Sequence, residues 1–239
     1  MRALLLAAGR GTRLRPITDT LPKCLVPIGG QPLLGLWLDR LFDGGGIERA
    51  IVNTHYRARQ VEAFIAASPW RERIDLIHED ELLGTGGTLA HARAHLGGGS
   101  VLMAHADNLT DIGIAAFRAA HDARPEGALM TMALFETDAP ESCGIVECDE
   151  KGLVTAFHEK SANPPGTLAN AAVYILEPEI AGMAAELGKK VVDFSTEIIP
   201  RLMGRIYTFR IEGYHRDIGS PEALALANRE WPQAVGARE

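Results

Sequence analysis

Apolar positions in the first half of the chain come in two alternating textures. Residues 3–8 form an unbroken apolar run of strand length, the mark of a strand buried on both faces. Residues 31–42 then carry Leu33, Leu34, Trp37, Leu38, Leu41 and Phe42 at helical spacing, with Pro32 where a first turn tolerates it and Gly44, Gly45 and Gly46 closing the helix. The pattern repeats as a strand at 50–53, a helix at 57–67, a strand at 74–77, a helix running through 94, a strand at 100–106 and a helix at about 111–121. Strand and helix alternating at this pitch predict right-handed βαβ units, and ligands of such sheets gather at the carboxyl ends of the strands.

From residue 128 the texture changes. Apolar runs at 129–135, 144–148, 153–158 and 169–176 follow one another without helices, and Asp149-Glu150-Lys151-Gly152 signals a tight turn, so this section is expected to be antiparallel. Ser220 and Pro221 supply the N-cap and first turn of a closing helix to about residue 230, and residues 232–239 read as a frayed tail. The expected fold is α/β and Rossmann-like, with a mixed, mostly parallel sheet flanked by helices. One domain is expected over 1–231, divided into halves at about 1–126 and 127–231.

With 239 residues, 46% hydrophobic and 23% charged, the chain can bury a full core and has the composition of a globular protein. No apolar run approaches a membrane helix, and residues 3–8 are too short for a signal peptide, so a cytoplasmic location without membrane partners is expected. Cys24, Cys143 and Cys148 contain no Cys-x-x-Cys pair, which argues for reduced thiols over a disulfide framework or a zinc knuckle. A net charge of -7 argues against nucleic acid as a partner.

Against that acidic background the first 23 residues hold five basic side chains (Arg2, Arg10, Arg13, Arg15, Lys23) and one acid, Asp19. Gly9 and Gly11 fall where the first strand must turn, and cations gathered on such a turn point to a small polyanion such as a phosphate chain. A P-loop is excluded because no Gly-Lys-Ser or Gly-Lys-Thr occurs, and a dinucleotide fingerprint would need glycine where Leu14 stands. Lys23 follows Pro22, whose fixed φ sets the lysine's backbone. A second glycine-rich segment begins at Glu79, where Gly84, Gly86 and Gly87 permit close approach of a base or phosphate and the helix start offers N–H groups. Asp107 ends a central strand, where an acid is well placed to hold Mg²⁺ against phosphate oxygens, while Asp111 is expected to cap the next helix. Asp217 is relieved of capping by Ser220 and is free for a ligand; His105 is read as a packed neighbour.

The stretch from Leu4 to Lys23 resembles the signature of the sugar-1-phosphate nucleotidyltransferases, or nucleotide-sugar pyrophosphorylases: an apolar strand, Gly-x-Gly-Thr-Arg-Leu-x-Pro-x-Thr, then Pro-Lys. The resemblance implies that Ala7, Ala8, Gly9, Gly11, Thr12, Arg13 and Lys23 wrap a nucleotide triphosphate, and that Glu79, Gly84, Thr85 and Gly87 serve the base and ribose. It further implies sugar-phosphate contacts from Gly144, Glu159, Lys160 and Asn170, and Mg²⁺ binding by Asp107 and Asp217. Cys24, Ala106, Cys143 and His215 depart from the family pattern, His215 standing where tryptophan is usual.

Glu79 stands where many uridine- and thymidine-using relatives present glutamine. A carboxylate only accepts, which suits the adjacent N1–H and N2–H₂ of guanine better than the single donor of uracil. The activity implied is transfer of a nucleotidyl group, GMP favoured, from an NTP to a mannose- or manno-heptose-type sugar 1-phosphate with release of pyrophosphate. Arg13, Lys23, Asp107 and Asp217 would carry the chemistry. Alternatives are a uridylyltransferase for an amino-sugar or muramic acid 1-phosphate, a glycosyltransferase, which usually needs the Asp-x-Asp motif that Asp107-Asn108-Leu109 lacks, and a non-catalytic nucleotide sensor.

Overall fold

The computed structural model describes the backbone of residues 1–236 and the side chains of residues 1–231. In the first half the elements are β1 (Arg2–Leu6), β2 (Pro27–Ile28), β3 (Gln31–Pro32), α1 (Leu33–Phe42), β4 (Arg49–Thr54), α2 (Ala58–Ala67), β5 (Ile74–His78), α3 (Gly84–Ala92), β6 (Val101–His105), β7 (Asn108–Thr110) and α4 (Ile114–Asp122). The second half adds β8 (Met130–Glu136), β9 (Gly144–Cys148), β10 (Val154–Glu159), β11 (Leu168–Leu176), α5 (Pro178–Glu186), β12 (Ile206–Arg210), β13 (His215–Asp217) and α6 (Pro221–Gly236).

One mixed sheet runs β10-β9-β11-β6-β1-β4-β5, with β8 also paired to β11 and β12 to β8. The strands β6, β1, β4 and β5 are parallel, and β11 joins them to the second half by pairing antiparallel with β6. Both faces are covered, as the unbroken apolar runs require. Ala3, Leu5, Val52 and Leu102 enter the core on one side, whereas Leu4, Ile51, Val101 and Met103 enter the core on the other.

Three expectations change. The helix expected at 111–121 begins at Ile114 with Gly113 as its N-cap and no side-chain cap, so Asp111 does not cap it. The reason is that Asn108–Thr110 is drawn into β7, which pairs with β13, and the Asp111 N–H extends that ladder to the Tyr214 carbonyl at 2.9 Å. The closing helix continues through Gly236, past the end expected near residue 230; residues 237–239 of the expected tail lie outside the described residues. Finally, α5, β12, β13 and the turns at Phe194–Ile198 and Ile199–Leu202 were not marked by periodicity.

His121, at the end of α4, supplies a stability prediction. Its Nδ1 lies 2.8 Å from Thr131 Oγ1 and its Nε2 3.0 Å from Glu177 Oε1, with the side chain sealed from water. Burial, reinforced by the Arg124 charge, lowers its pKa. An unfolded imidazole titrates near ~6.5, so the His121 contribution is present above that pH and is lost as pH falls through it, where the unfolded chain gains a proton the folded one resists. Urea denaturation between pH 7.5 and pH 5.5 should show stability falling, and falling less steeply in His121→Gln. An equal slope in the two proteins would contradict this role.

Candidate active site

The chain leaves β1 at the carboxyl end of the parallel strands and turns across it. The Ala7 N–H donates to Asn53 Oδ1 at 2.6 Å, fixing the start of the turn. Gly11 sits at φ 62°, and a Cβ there would lie 2.9 Å from Thr18 Cγ2 and 3.0 Å from Lys23 Cβ, so conformation and crowding both demand glycine. Pro22 is extended at φ -66°, and the short turn Lys23–Leu25 then buries Lys23 to 6% exposure. The ammonium of Lys23 donates to Asp107 Oδ2 at 2.7 Å and to Asp217 Oδ1 at 3.1 Å. Arg13 Nη2 reaches the other oxygen of Asp217 at 3.5 Å.

The β7–β13 ladder makes this meeting possible. It sets Asn108 opposite Asp217 and Thr110 opposite His215, and the Ile218 N–H reaches the Asp107 carbonyl at 3.4 Å. Gly219 clears the remaining space, because a Cβ there would lie 2.5 Å from Arg13 Nη2 and 2.9 Å from Asp217 Oδ2. Nothing in the sequence beyond its place two residues after Asp217 singles out this glycine.

Two cations and two carboxylates therefore cancel over a few ångströms. Burial works against the Lys23 charge, but the facing Asp107 and Asp217 outweigh it and raise its pKa. Burial likewise opposes the Asp107 charge, and Lys23 with His105 outweighs it, holding the carboxyl below its ordinary range. Lys23 and Asp107 are therefore both ionised at neutral pH.

Cavities open on both sides of this array. One of about 200 Å³ is lined by Ala7, Ala8, Gly9, Lys23, Glu79, Gly84, Thr85 and Asp107, all expected there, and also by Asn53, Thr88 and His105. Its Cys24 is a buried thiol, its pKa pushed up to about 12 by burial. The other, a cleft of about 880 Å³, takes in Arg13, Lys160, Asp217 and Arg216. His215 also lines that cleft, its ring 4.4 Å from that of Phe135 and its pKa pushed down to about 3 by burial, so it is neutral.

Gly11, Thr12 and Gly87 line neither cavity, and neither do Gly144, Glu159 and Asn170. Gly144 is needed for packing, since a Cβ there would lie 2.9 Å from Glu159 Oε2. Asn170 turns inward, donating to the Tyr174 hydroxyl at 2.7 Å and accepting from the Ala172 N–H at 2.9 Å, which holds a bulge in β11 with Ala172 at φ 52°.

Glu79 is more committed to the protein than its sequence position implied. Its Oε1 accepts from Asn53 Nδ2 at 2.7 Å and from Thr88 Oγ1 at 2.6 Å, while its Oε2 accepts from the Leu83 N–H at 3.1 Å. One acceptor position, on Oε2, remains for a ligand instead of two adjacent ones. Two of the N–H groups at the start of α3 are not free as expected either: Gly86 and Gly87 donate to the Val192 carbonyl at 2.9 and 3.2 Å. The glycines make room for the protein's own backbone.

Among the described residues no group of three or more His, Cys, Asp or Glu has the arrangement of a closed metal site. Asp107 and Asp217 do bring two carboxylates to one point, already occupied by a cationic group. That donor pair fits Mg²⁺, a cation that completes its shell with phosphate and water oxygens.

The family described as "Nucleotidyl transferase" matches residues 2–234. The mannose-1-phosphate guanylyltransferase of Mycobacterium tuberculosis is 33% identical over 238 residues, which are 98% of this chain and 65% of that protein, so the chain spans less than two thirds of that relative. The N-acetylmuramate alpha-1-phosphate uridylyltransferase of Caulobacter vibrioides is 32% identical over 241 residues, covering 97% of each. Among solved structures, HddC from Yersinia pseudotuberculosis complexed with GMP-PN superimposes with a TM-score of 0.80 at 25% identity, covering 96% of this chain and 99% of that one.

Proposed function

The chain belongs to the nucleotidyl transferase family, and from that premise we propose that it transfers a nucleotidyl group, GMP in the first place, from an NTP to a mannose- or manno-heptose-type sugar 1-phosphate. The observation that carries this reading is the meeting of Lys23, Arg13, Asp107 and Asp217 between two cavities, the smaller lined by Gly9, Glu79 and Thr85 and the larger by Lys160 and Arg216.

The reaction joins two anions. An oxygen of the sugar phosphate attacks the α-phosphorus of the NTP, the bond from that phosphorus to the bridging oxygen breaks, and pyrophosphate leaves with the electron pair. The second pKa of a phosphate monoester is near ~6, so the attacking oxygen is ionised at neutral pH and no general base is needed. The protein's share is positioning and charge. Lys23, held protonated, and Arg13 face the triphosphate from the turn and offset the charge gathering on the leaving group. Asp107 and Asp217 would hold Mg²⁺, which when bound neutralises phosphate oxygens. Lys160 and Arg216 supply cations on the sugar side of the array.

Guanine is supported by the similarity to a guanylyltransferase and to a structure complexed with GMP-PN. A second reading, uridylyl transfer to an amino-sugar or muramic acid 1-phosphate, has its own observation: one free acceptor on Glu79 Oε2 matches the single N3–H of uracil. Pyrophosphate release from GTP, UTP and dTTP, each paired with mannose, manno-heptose, glucose and amino-sugar 1-phosphates, separates them. GTP with a manno-configured sugar phosphate should give the highest kcat/KM. Preferential turnover of UTP with an amino-sugar phosphate would replace the first reading by the second, and no turnover of any pair would refute both.

A further inference from the structure

The segment that follows α5 returns across the start of α3, and Val192 is its centre. Its N–H donates to the Leu83 carbonyl at 2.9 Å, and its carbonyl accepts from Gly86 and Gly87 at 2.9 and 3.2 Å. Two residues on, the Phe194 N–H donates to Thr85 Oγ1 at 2.9 Å, and two residues before, Lys190 Nζ lies 2.5 Å from Glu81 Oε2. Every one of these links ends on residues 81–87, the loop that lends Leu82, Gly84 and Thr85 to the smaller cavity.

The fit is close. A Cβ on Gly86 would lie 2.7 Å from Val192 Cγ1 and 3.3 Å from the Val192 carbonyl oxygen. Val192 is 1% exposed while its neighbour Val191 is 54% exposed, so one valine is packed under the chain and the other stands in water. From inside, Glu79 holds the same loop through the Leu83 N–H. The loop is thus gripped on two sides, and Gly84 within it sits at φ 74°, a conformation that relaxes easily once unsupported.

We propose that Val192 is a positioning residue for the nucleotide: residues 189–194 form a strap that keeps residues 82–87 in the shape that receives base and ribose. The proposal rests on the reading of the smaller cavity as the nucleotide's. A loop released from the strap populates the receptive shape only part of the time, and apparent affinity falls by that fraction.

The test uses the full chain with Gly86→Ala, which pushes on the strap, Gly86→Ala/Val192→Ala, which removes the methyl it meets, and Val192→Gly, which loosens the strap without adding atoms. Calorimetric binding of GTP and UTP, amide exchange without ligand, and kcat at saturating nucleotide are read for each. Gly86→Ala should exchange faster at residues 83–87 and bind the preferred nucleotide about tenfold more weakly, equivalent to about 1.4 kcal/mol, and Val192→Gly should keep kcat at saturation within about twofold of the parent. The double variant should regain most of the lost affinity. Val192→Gly should show the same two changes, so a misfolded Gly86→Ala does not end the test. Faster exchange with parental affinity, or a double variant no better than the single, would overturn the strap. A parent that binds neither nucleotide refutes the reading of the cavity itself, whereas parental binding with all variants unchanged refutes the strap alone.

Discussion

Asp107→Asn and Asp217→Asn should each lower kcat/KM by about 10²–10³-fold at saturating Mg²⁺ while the far-ultraviolet spectrum and the urea transition stay recognisably native. The substitution keeps the shape of each side chain and removes one of two negative charges that converge on Lys23. On the proposed reading, what is lost is the ability to hold a divalent cation against a triphosphate, which needs the charge. Because Asp217 is half exposed and Lys23 keeps Asp107 as a partner, its loss should disturb the interior little, and the effect falls mainly on turnover. Near-parental rates for both variants would remove these residues from the chemistry. A raised Mg²⁺ requirement accompanying the lower turnover would place the lost group on the metal.

Lys23→Met should be as damaging to turnover, about 10³-fold, and should also cost stability. The ammonium is buried between two carboxylates, so removing it leaves Asp107 without a countercharge and Asp217 with Arg13 alone. Breaking a fully buried pair costs about 3–5 kcal/mol; with Asp107 35% exposed, about 1–3 kcal/mol is expected here because water screens the orphaned carboxylate. Without Lys23, the Asp107 carboxyl also loses the largest favourable influence on its charge, so its pKa should rise, and the stability deficit of the variant should shrink as pH falls and the orphaned carboxylate takes up a proton. Lys23→Arg should recover stability better than activity, since Gly11 lies close against the stem of this side chain and leaves little room to re-aim a wider head group. Equal stability of Lys23→Met and parent across pH would contradict the paired arrangement.

Much of this site was legible in the chain. The apolar run before Gly9 fixes where β1 ends, and the Pro22-Lys23 step and the acid closing the next-but-two strand place Lys23 and Asp107 at the same edge of a parallel sheet. What carries Asp217 to them was not legible: β7 and β13 are three residues each, too short for any periodicity, and their pairing spans more than a hundred residues. The partners of Glu79 were hidden for a similar reason. Asn53 lies on β4, and only the parallel register of Thr54 with His78 brings it beside Glu79. A carboxylate read as a free acceptor from its position in the chain is therefore partly spent on its neighbours. Val192 could not be foreseen at all, since two valines after a pair of lysines carry no sign of which will be buried. On the sugar side, Gly144 and Asn170 have reasons of packing and backbone geometry to be what they are, which their place in the chain did not show.

The most direct measurement is a crystal structure of the protein with a non-hydrolysable nucleoside triphosphate and Mn²⁺, the cation located by its anomalous signal. It should show the cation bound by oxygens of both Asp107 and Asp217, with the triphosphate along the turn from Gly9 to Arg13 and the base beside Glu79. A cation that touches neither aspartate, or a nucleotide seated away from that turn, would contradict the account.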